Sequence, residues 1–145
     1  MYRIPKSVKN VPLIVVIDTN FLTVPAQFGI DIFSEAERIL ERRLEYVLLS
    51  TAESELNEKL EMAPTTTEKR KFLIAKELID RCRVVTVDES IGTLPVDDQL
   101  LEYAISVKGV LATNDKELRI RAKNRRIPVL LMRGKKKLEL VGTVV

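Results

Sequence analysis

Short apolar runs alternate with longer amphipathic segments along this chain. Five of the runs are too short for helices and rich in Val, Ile and Leu, which predicts buried strands at residues 13–17, 46–49, 84–87, 110–112 and 127–132. The runs lack a regular alternation of apolar and polar positions, as is typical of strands covered on both faces.

The segments between these runs have the periodicity of helices. Ser50 and Glu53 form a capping-box pattern at the start of the second helical segment. Residues 88–95 have the composition of a loop, and residues 135–141 are either an edge strand or loose. Helices are predicted over 31–44, from 50 to a break at 64–67, over 67–81, from 97 or 98 to about 108, and over about 115–126.

Strands that alternate with helices of ten or more residues indicate a parallel sheet with helices packed on both of its faces. We therefore predict an α/β protein, a three-layer α/β/α sandwich around a central, mainly parallel five-stranded sheet. One domain covers residues 1–145, and a basic C-terminal tail begins at about residue 133.

The composition narrows the chemistry that is available. The chain of 145 residues contains no histidine and a single cysteine, Cys82, which excludes serine-histidine triads, histidine-bound zinc and an internal disulfide. The apolar run at residues 11–17 includes a proline and is too short to span a bilayer. We expect a cytoplasmic protein that does not associate with a membrane.

The charge is distributed unevenly, although the net charge is only +3. Residues 31–62 hold nine acids and four bases, whereas residues 116–137 hold ten bases and one acid. A basic surface of this kind favours a polyanion such as RNA. Arg119, Lys123 and Arg126 are spaced to lie on one helix face and to follow a phosphate backbone; the alternative is an ordinary solvated helix face.

Four acidic positions lie where a predicted strand ends or a predicted helix begins. The carboxyl ends of parallel strands form one edge of a sheet, so these acids should meet there and repel one another. A hard divalent cation, which prefers oxygen ligands, would relieve the repulsion. The four acidic positions therefore indicate metal-assisted phosphodiester chemistry. The positions are Asp18, Glu55, the pair Asp97 and Asp98, and Asp115.

Each acid also has a structural interpretation. Asp18, Asp115 and one of the pair Asp97 and Asp98 could cap helices or turns. Glu55 could belong to an ordinary helix surface, with Glu53 as its competitor for the site. Asp98 precedes the apolar Leu101 by three residues, which favours Asp98 over Asp97 for the side facing the sheet.

Four motifs resemble those of the PIN domain, a Mg²⁺- or Mn²⁺-dependent nuclease fold. They occur in the family's order over essentially the whole chain, and the last, followed by a basic helix and Ile127-Pro128-Val129, is the most specific. The motifs are Asp18-Thr19-Asn20, Glu55-Leu56, Val96-Asp97-Asp98-Gln99-Leu100 and Ala112-Thr113-Asn114-Asp115-Lys116-Glu117-Leu118.

The resemblance implies roles for individual residues. Asp18, Glu55, Asp98 and Asp115 would be catalytic. The metal ligands for Mg²⁺ or Mn²⁺ would come from Asp18, Asp97, Asp98 and Asp115. Substrate contacts are expected from Thr19, Asn20, Thr113 and Asn114, together with Arg119, Lys123 and Arg126.

The implied function is a metal-dependent endoribonuclease, in ribosomal-RNA processing or as a VapC-type toxin. The expected partners are RNA, an antitoxin or a ribosome-assembly protein, and a second copy of the chain. One alternative is a catalytically weak PIN fold that serves as an RNA-binding or assembly module. Another is a phosphotransfer protein, although Asn20 stands where a dehalogenase-type phosphatase would carry a second aspartate.

Overall fold

The structure, a computed structural model, describes residues 11–144. These residues form a six-stranded sheet with helices around it. The strand order is β3-β2-β1-β4-β5-β6, and all neighbours are parallel except β5 and β6. The strands are β1 (Leu13–Ile17), β2 (Leu44–Leu49), β3 (Arg83–Val85), β4 (Val110–Ala112), β5 (Val129–Arg133) and β6 (Lys137–Val141).

In the described part of the chain, seven α-helices and two short 3₁₀ helices, Thr19–Thr23 and Ile79–Arg81, connect these strands. Among residues 11–144, no helix combines the length and the apolar character that a bilayer crossing requires. The α-helices are α1 (Val24–Phe28), α2 (Ile32–Leu40), α3 (Ser50–Met62), α4 (Thr66–Leu78), α5 (Glu89–Gly92), α6 (Val96–Ser106) and α7 (Lys116–Asn124).

The predicted α/β class and the mainly parallel central sheet are confirmed. Strands β1, β2 and β4 form the middle of the sheet and supply side chains with no exposed surface, such as Val16, Val47 and Leu111. Burial on both sides explains why these strands are continuous apolar runs in the sequence.

The predicted number of five strands is wrong, because the C-terminal region adds a sixth. Gly134 adopts a φ of 65° and allows the chain to reverse after β5. The returning strand pairs Leu138 with Met132, and Leu138 is only 3% exposed. The basic tail predicted from about residue 133 therefore contains β6.

Several predicted helix starts also need correction. Strand β2 passes directly into α3, so Leu49 is the N-cap and the predicted capping box at Ser50 and Glu53 does not form. Helix α6 begins at Val96 with Pro95 as its N-cap, which places Asp97 and Asp98 in the first turn rather than at a cap.

The boundaries of other elements differ from the predictions by a few residues. Helix α2 ends at Leu40 and α7 at Asn124, each followed within two residues by a residue with a positive φ, Glu41 and Arg126. The predicted loop at 88–95 contains the short helix α5, and residues 19–28, for which no element was predicted, are helical.

The order of the strands reverses at the centre of the sheet. Strands β1 and β4 are neighbours there, while β2 and β3 lie on one side and β5 and β6 on the other. In an open α/β sheet such a switch point opens a crevice at the carboxyl ends of the strands, where ligands bind. Asp18 follows β1 at this crevice, and Thr113 follows β4.

Candidate active site

Asp18 is a nearly buried carboxylate, with 7% of its surface exposed, at the carboxyl end of β1. Its Oδ2 accepts a hydrogen bond of 2.7 Å from the Thr113 hydroxyl, and its backbone N–H donates to Ala112 over 2.9 Å. Burial raises the pKa of Asp18, and the charges of Asp97, Glu55 and Asp115 raise it further, against the lowering effect of the Thr113 hydroxyl. These charges show that the other acids surround it.

Thr113 and Asp115 form a short hydrogen-bonded chain with Asp18. The buried Thr113 hydroxyl accepts from the backbone N–H of Asp115 over 3.1 Å while it donates to Asp18. Asp115 is also the N-cap of α7, since its Oδ1 accepts from the N–H of Leu118 over 2.8 Å. The capping interpretation of Asp115 is therefore confirmed, and it leaves the second carboxylate oxygen without a hydrogen-bond donor among residues 11–144.

The structure places Asp97, rather than Asp98, beside the other acids. Asp98 forms an ion pair with Arg121 of α7. Burial raises the pKa of Asp97, as do the charges of Asp115, Glu55 and Asp98, with Arg121 acting in the opposite direction. Asp98 does lie on the more covered side of α6, as predicted, but there it faces Arg121 of α7 rather than the other acids. Asp97, which points about 100° away around the helix axis, takes the place beside the acids.

Glu55 reaches the same region from the second turn of α3. It pairs with Lys59 over 3.1 Å, and the Lys59 ammonium also donates to Asn20 Oδ1 over 3.2 Å. Glu55 contributes to the raised pKa values of both Asp18 and Asp97. The assignment of Glu55 over Glu53 is consistent with this placement.

The donor set suits a hard cation because it consists of carboxylate oxygens, with Asp18 destabilised as an anion by its neighbours. Asp18, Asp97 and Asp115 could hold such an ion, with Glu55 beside them. Among the described residues, however, no group of three or more acidic, histidine or cysteine side chains is already drawn together as a set of metal ligands.

Most of the predicted substrate contacts are used within the fold. The Thr19 hydroxyl donates to the Ala52 carbonyl over 3.2 Å, and Asn114 Oδ1 accepts from the N–H of Met132 over 2.8 Å. Thr113 is buried against Asp18. Asn20 alone of these four is exposed, and it faces a cleft.

That cleft contains residues that the sequence did not single out. It has a volume of about 510 Å³ and adjoins the acids through the Glu55–Lys59 pair and through Asn114. Lys59 and Lys71 both line it. They were missed because each is one lysine among many charged residues on α3 and α4, and only the packing of the two helices brings them together.

Gln99 is a third residue that was missed. It is 2% exposed, and its Oε1 accepts from the Thr51 hydroxyl over 2.7 Å while its Nε2 donates to the Leu94 carbonyl over 2.8 Å. These hydrogen bonds connect the start of α3 to the loop that precedes α6, and α6 is the helix that carries Asp97. Its place directly after Asp97 and Asp98 in the sequence was the available signal.

Arg119, Lys123 and Arg126 lie together, as their spacing predicted, but in a groove of their own between α7 and the edge of the sheet. Lys116 joins them there. The cleft with Lys59 and Lys71 is lined by none of these four residues.

A parallel sheet with a buried strand-end aspartate and further acids at its switch point defines this chain as a PIN-like domain. The sequence matches the family described as PIN like domain over residues 15–135, and the chain belongs to that family. The resemblance inferred from the four motifs is thereby confirmed.

Two individual relatives agree with the family. The chain is 34% identical over 131 residues to Ribonuclease VapC4 of Methanocaldococcus jannaschii, which covers 90% of this chain and 98% of the relative. It is also similar to the solved structure of the PIN domain endonuclease Utp24, with a TM-score of 0.69, 27% identity, and 92% and 96% of the two chains covered.

Proposed function

We propose that this protein is a metal-dependent endoribonuclease. The observation that carries the proposal is the buried Asp18 carboxylate, whose pKa is raised by burial and by the charges of Asp97, Glu55 and Asp115. Perturbed carboxylates at a sheet switch point are typical of catalytic sites. A relative named as a ribonuclease and a similar structure named as an endonuclease support the same reaction.

Mg²⁺ or Mn²⁺ is the proposed cofactor, held by Asp18, Asp97 and Asp115. When bound, such an ion would lower the pKa of a water molecule and polarise the scissile phosphate, so no histidine base is required. Thr113 directs its hydroxyl proton to Oδ2 of Asp18 and fixes the orientation of the carboxylate. Oδ1 of Asp18 then has no hydrogen-bond partner among residues 11–144.

Lys59 and Lys71 are proposed to bind the RNA backbone next to these acids. Both side chains line the cleft with Asn20, and Lys59 pairs with Glu55 while Lys71 pairs with Glu68. The phosphates of a bound strand would replace these carboxylates as partners of the two ammonium groups. Lys59 also fixes Glu55 and Asn20, which makes it a positioning residue as well.

Comparison of Asp18→Asn, Asp97→Asn and Asp98→Asn tests the proposal. We expect Asp18→Asn and Asp97→Asn to slow cleavage of labelled RNA by about 100-fold or more, the scale of losing one preorganised electrostatic group. Asp98→Asn is the matched control and should keep most of the activity, since Asp98 pairs with Arg121. Mn²⁺ binding, measured by calorimetry, should be lost in the same two variants.

Cleavage that persists in excess chelator would contradict the metal dependence. Full activity in Asp97→Asn combined with loss in Asp98→Asn would restore the original assignment of Asp98. If neither structured nor single-stranded RNA is cleaved with either metal, the assembly-module alternative is favoured instead.

The biological role proposed from the sequence, ribosomal-RNA processing or a VapC-type toxin, depends on the same site. Growth arrest on expression in a host, relieved by Asp18→Asn and by the product of a neighbouring gene, would identify a toxin. Accumulation of unprocessed ribosomal RNA when the gene is removed would identify a processing enzyme.

A further inference from the structure

A groove of about 640 Å³ lies between α7 and the strands β5 and β6, away from the cleft of Lys59 and Lys71. We call it the basic-rimmed groove. Its floor is aliphatic, with Ile120, Val129, Leu131 and Val141, and its rim is cationic. The cations on the rim include Lys116, Arg119, Lys123 and Arg126.

The floor leaves aliphatic surface open to solvent. Ile120 is 53% exposed in the middle of α7 and Val141 is 37% exposed on the edge strand, and both line the same groove. By contrast, Leu118 and Ala122 of α7 are buried against the sheet. Large apolar side chains that gather in one concave surface with a polar rim are typical of an interaction site.

The rim carries positive charge that its surroundings do not neutralise. Arg121 and Arg125, on another side of α7, pair with Asp98 and Glu102 of α6. Among residues 11–144, Lys116, Arg119, Lys123 and Arg126 form no ion pair, and the Nε of Arg119 is shielded from water without a hydrogen-bond acceptor. The side of α7 that faces α6 is therefore neutralised, whereas the side that lines the groove stays cationic.

We propose that the basic-rimmed groove docks an acidic amphipathic segment of a partner protein. Apolar side chains of the segment would cover Ile120 and Val141, and its carboxylates would pair with the unneutralised cations of the rim. This is the helix-in-groove mode of recognition, with charge complementarity around an apolar centre. The docking does not depend on the proposed nuclease activity.

The groove fits this occupant better than it fits two others. Among residues 11–144, no aromatic side chain on which a base could stack lines the groove, and a phosphate backbone would leave the aliphatic floor uncovered by apolar surface. Residues 1–10 of this chain contain Arg3, Lys6 and Lys9 and no acid, so their charge is of the wrong sign for this rim.

A panel of fluorescent synthetic peptides provides the test. Each is about 18 residues long, since shorter helices are marginal in water, with leucines on one face and glutamates on the other. A peptide of the same composition with the pattern scrambled and one with lysines in place of glutamates are the controls for the ligand. Binding is followed by fluorescence anisotropy and by the NMR shifts of isoleucine methyl groups.

We expect the acidic amphipathic peptides to bind, to shift the Ile120 methyl signal and to outcompete both control peptides. Ile120→Ser should weaken binding by about tenfold or more, as expected for a central anchor. Lys123→Glu should weaken it by a similar factor, because it turns an attraction at the rim into a repulsion. The matched controls Leu73→Ser and Lys76→Glu, at exposed positions of α4, should leave binding unchanged. RNA cleavage by Ile120→Ser should equal that of the wild type.

Four results would overturn the proposal. The first is that no peptide of the panel binds with a Kd below about 1 mM. The second is equal binding of the scrambled peptides, which would mean that charge alone attracts them. The third is competition by single-stranded RNA in chelator, with an RNA affinity that falls in Ile120→Ser, which would identify an RNA surface. Self-association lost in Ile120→Ser would identify a second copy of the chain as the occupant.

Discussion

Asp18 is a residue at which stability and the proposed chemistry oppose each other. Its burial and its acidic neighbours raise its pKa, so the folded state binds a proton more tightly than the unfolded state does. The ionised carboxylate therefore costs stability at neutral pH. This cost fades as the pH falls through the raised pKa and is absent below the pKa of the unfolded chain.

Asp18→Asn should therefore stabilise the metal-free protein. We expect the Tm at pH 7 to rise by about 2–4 °C, which corresponds to ~1 kcal/mol in a domain of this size, and the gain to vanish in acid. The amide oxygen can still accept from Thr113. Adding Mn²⁺ should raise the Tm of the wild type and leave that of the variant unchanged, as scanning calorimetry would show.

Asp31→Ala is a control of the opposite sign. Asp31 caps α2 by accepting from the N–H groups of Phe33 and Ser34, and the Ser34 hydroxyl above all holds its pKa low. Its stabilising contribution is present at neutral pH and is lost as the pH falls through that lowered pKa. If Asp18→Asn is less stable than the wild type at pH 7, the ionised carboxylate of Asp18 is favourable where it lies in the wild type.

The choice between Asp97 and Asp98 shows where inference from sequence stopped at the residue scale. The motif indicated that one acid of the pair belongs to the site, and the apolar period of α6 favoured Asp98. The decision depends on which neighbouring element each side of α6 faces, and the apolar period of a single helix does not show that. Arg121, on a different helix, then pairs with Asp98.

At the scale of elements, the apolar runs were the reliable signal. Strands β1, β2 and β4 are buried on both faces, and so their residue types leave little freedom in the choice of structure. Strand β6 was ambiguous because it is at the edge of the sheet and two of its five residues are charged. Polar and apolar residues alternate over residues 137–140, which is compatible with a strand. Its pairing with β5 follows only from the reversal of the chain at Gly134.

Leu138→Ala tests whether β6 is an integral part of the domain. Leu138 is buried, so its truncation should lower the free energy of unfolding by about 2–5 kcal/mol. Leu73→Ala, at an exposed position of α4, should change it by less than about 0.5 kcal/mol. Urea denaturation followed by circular dichroism gives both values. Equal small effects in the two variants would show that residues 137–141 contribute no packing.

At the scale of the whole molecule, positive charge is placed on two separate surfaces. The dense cluster of bases at 116–137 is visible in the sequence and predicted an RNA surface, because density along the chain is all that a sequence displays. The cleft of Lys59 and Lys71 is assembled from α3 and α4 and gives no local signal. Its position beside the acids makes it the better candidate for the substrate path.

Lys59→Ala combined with Lys71→Ala should weaken RNA binding and reduce its dependence on salt. Loss of two phosphate contacts should lower the slope of log affinity against log salt by about 1.4 for single-stranded RNA. Lys69→Ala with Lys76→Ala, at exposed positions of α4, is the matched control of equal charge. Anisotropy titrations at several salt concentrations measure the slope. An equal loss in the control pair would mean that only net charge matters.

The hydrogen bond between Thr113 and Asp18 joins residues 95 positions apart. During synthesis Asp18 leaves the ribosome long before Thr113 exists, and the pairing of β1 with β4 has to wait for the same part of the chain. Closing so long a loop places site assembly among the late events of folding. On the proposed function, a growing chain would be inert toward the RNA that surrounds it until β4 and Thr113 have emerged from the ribosome.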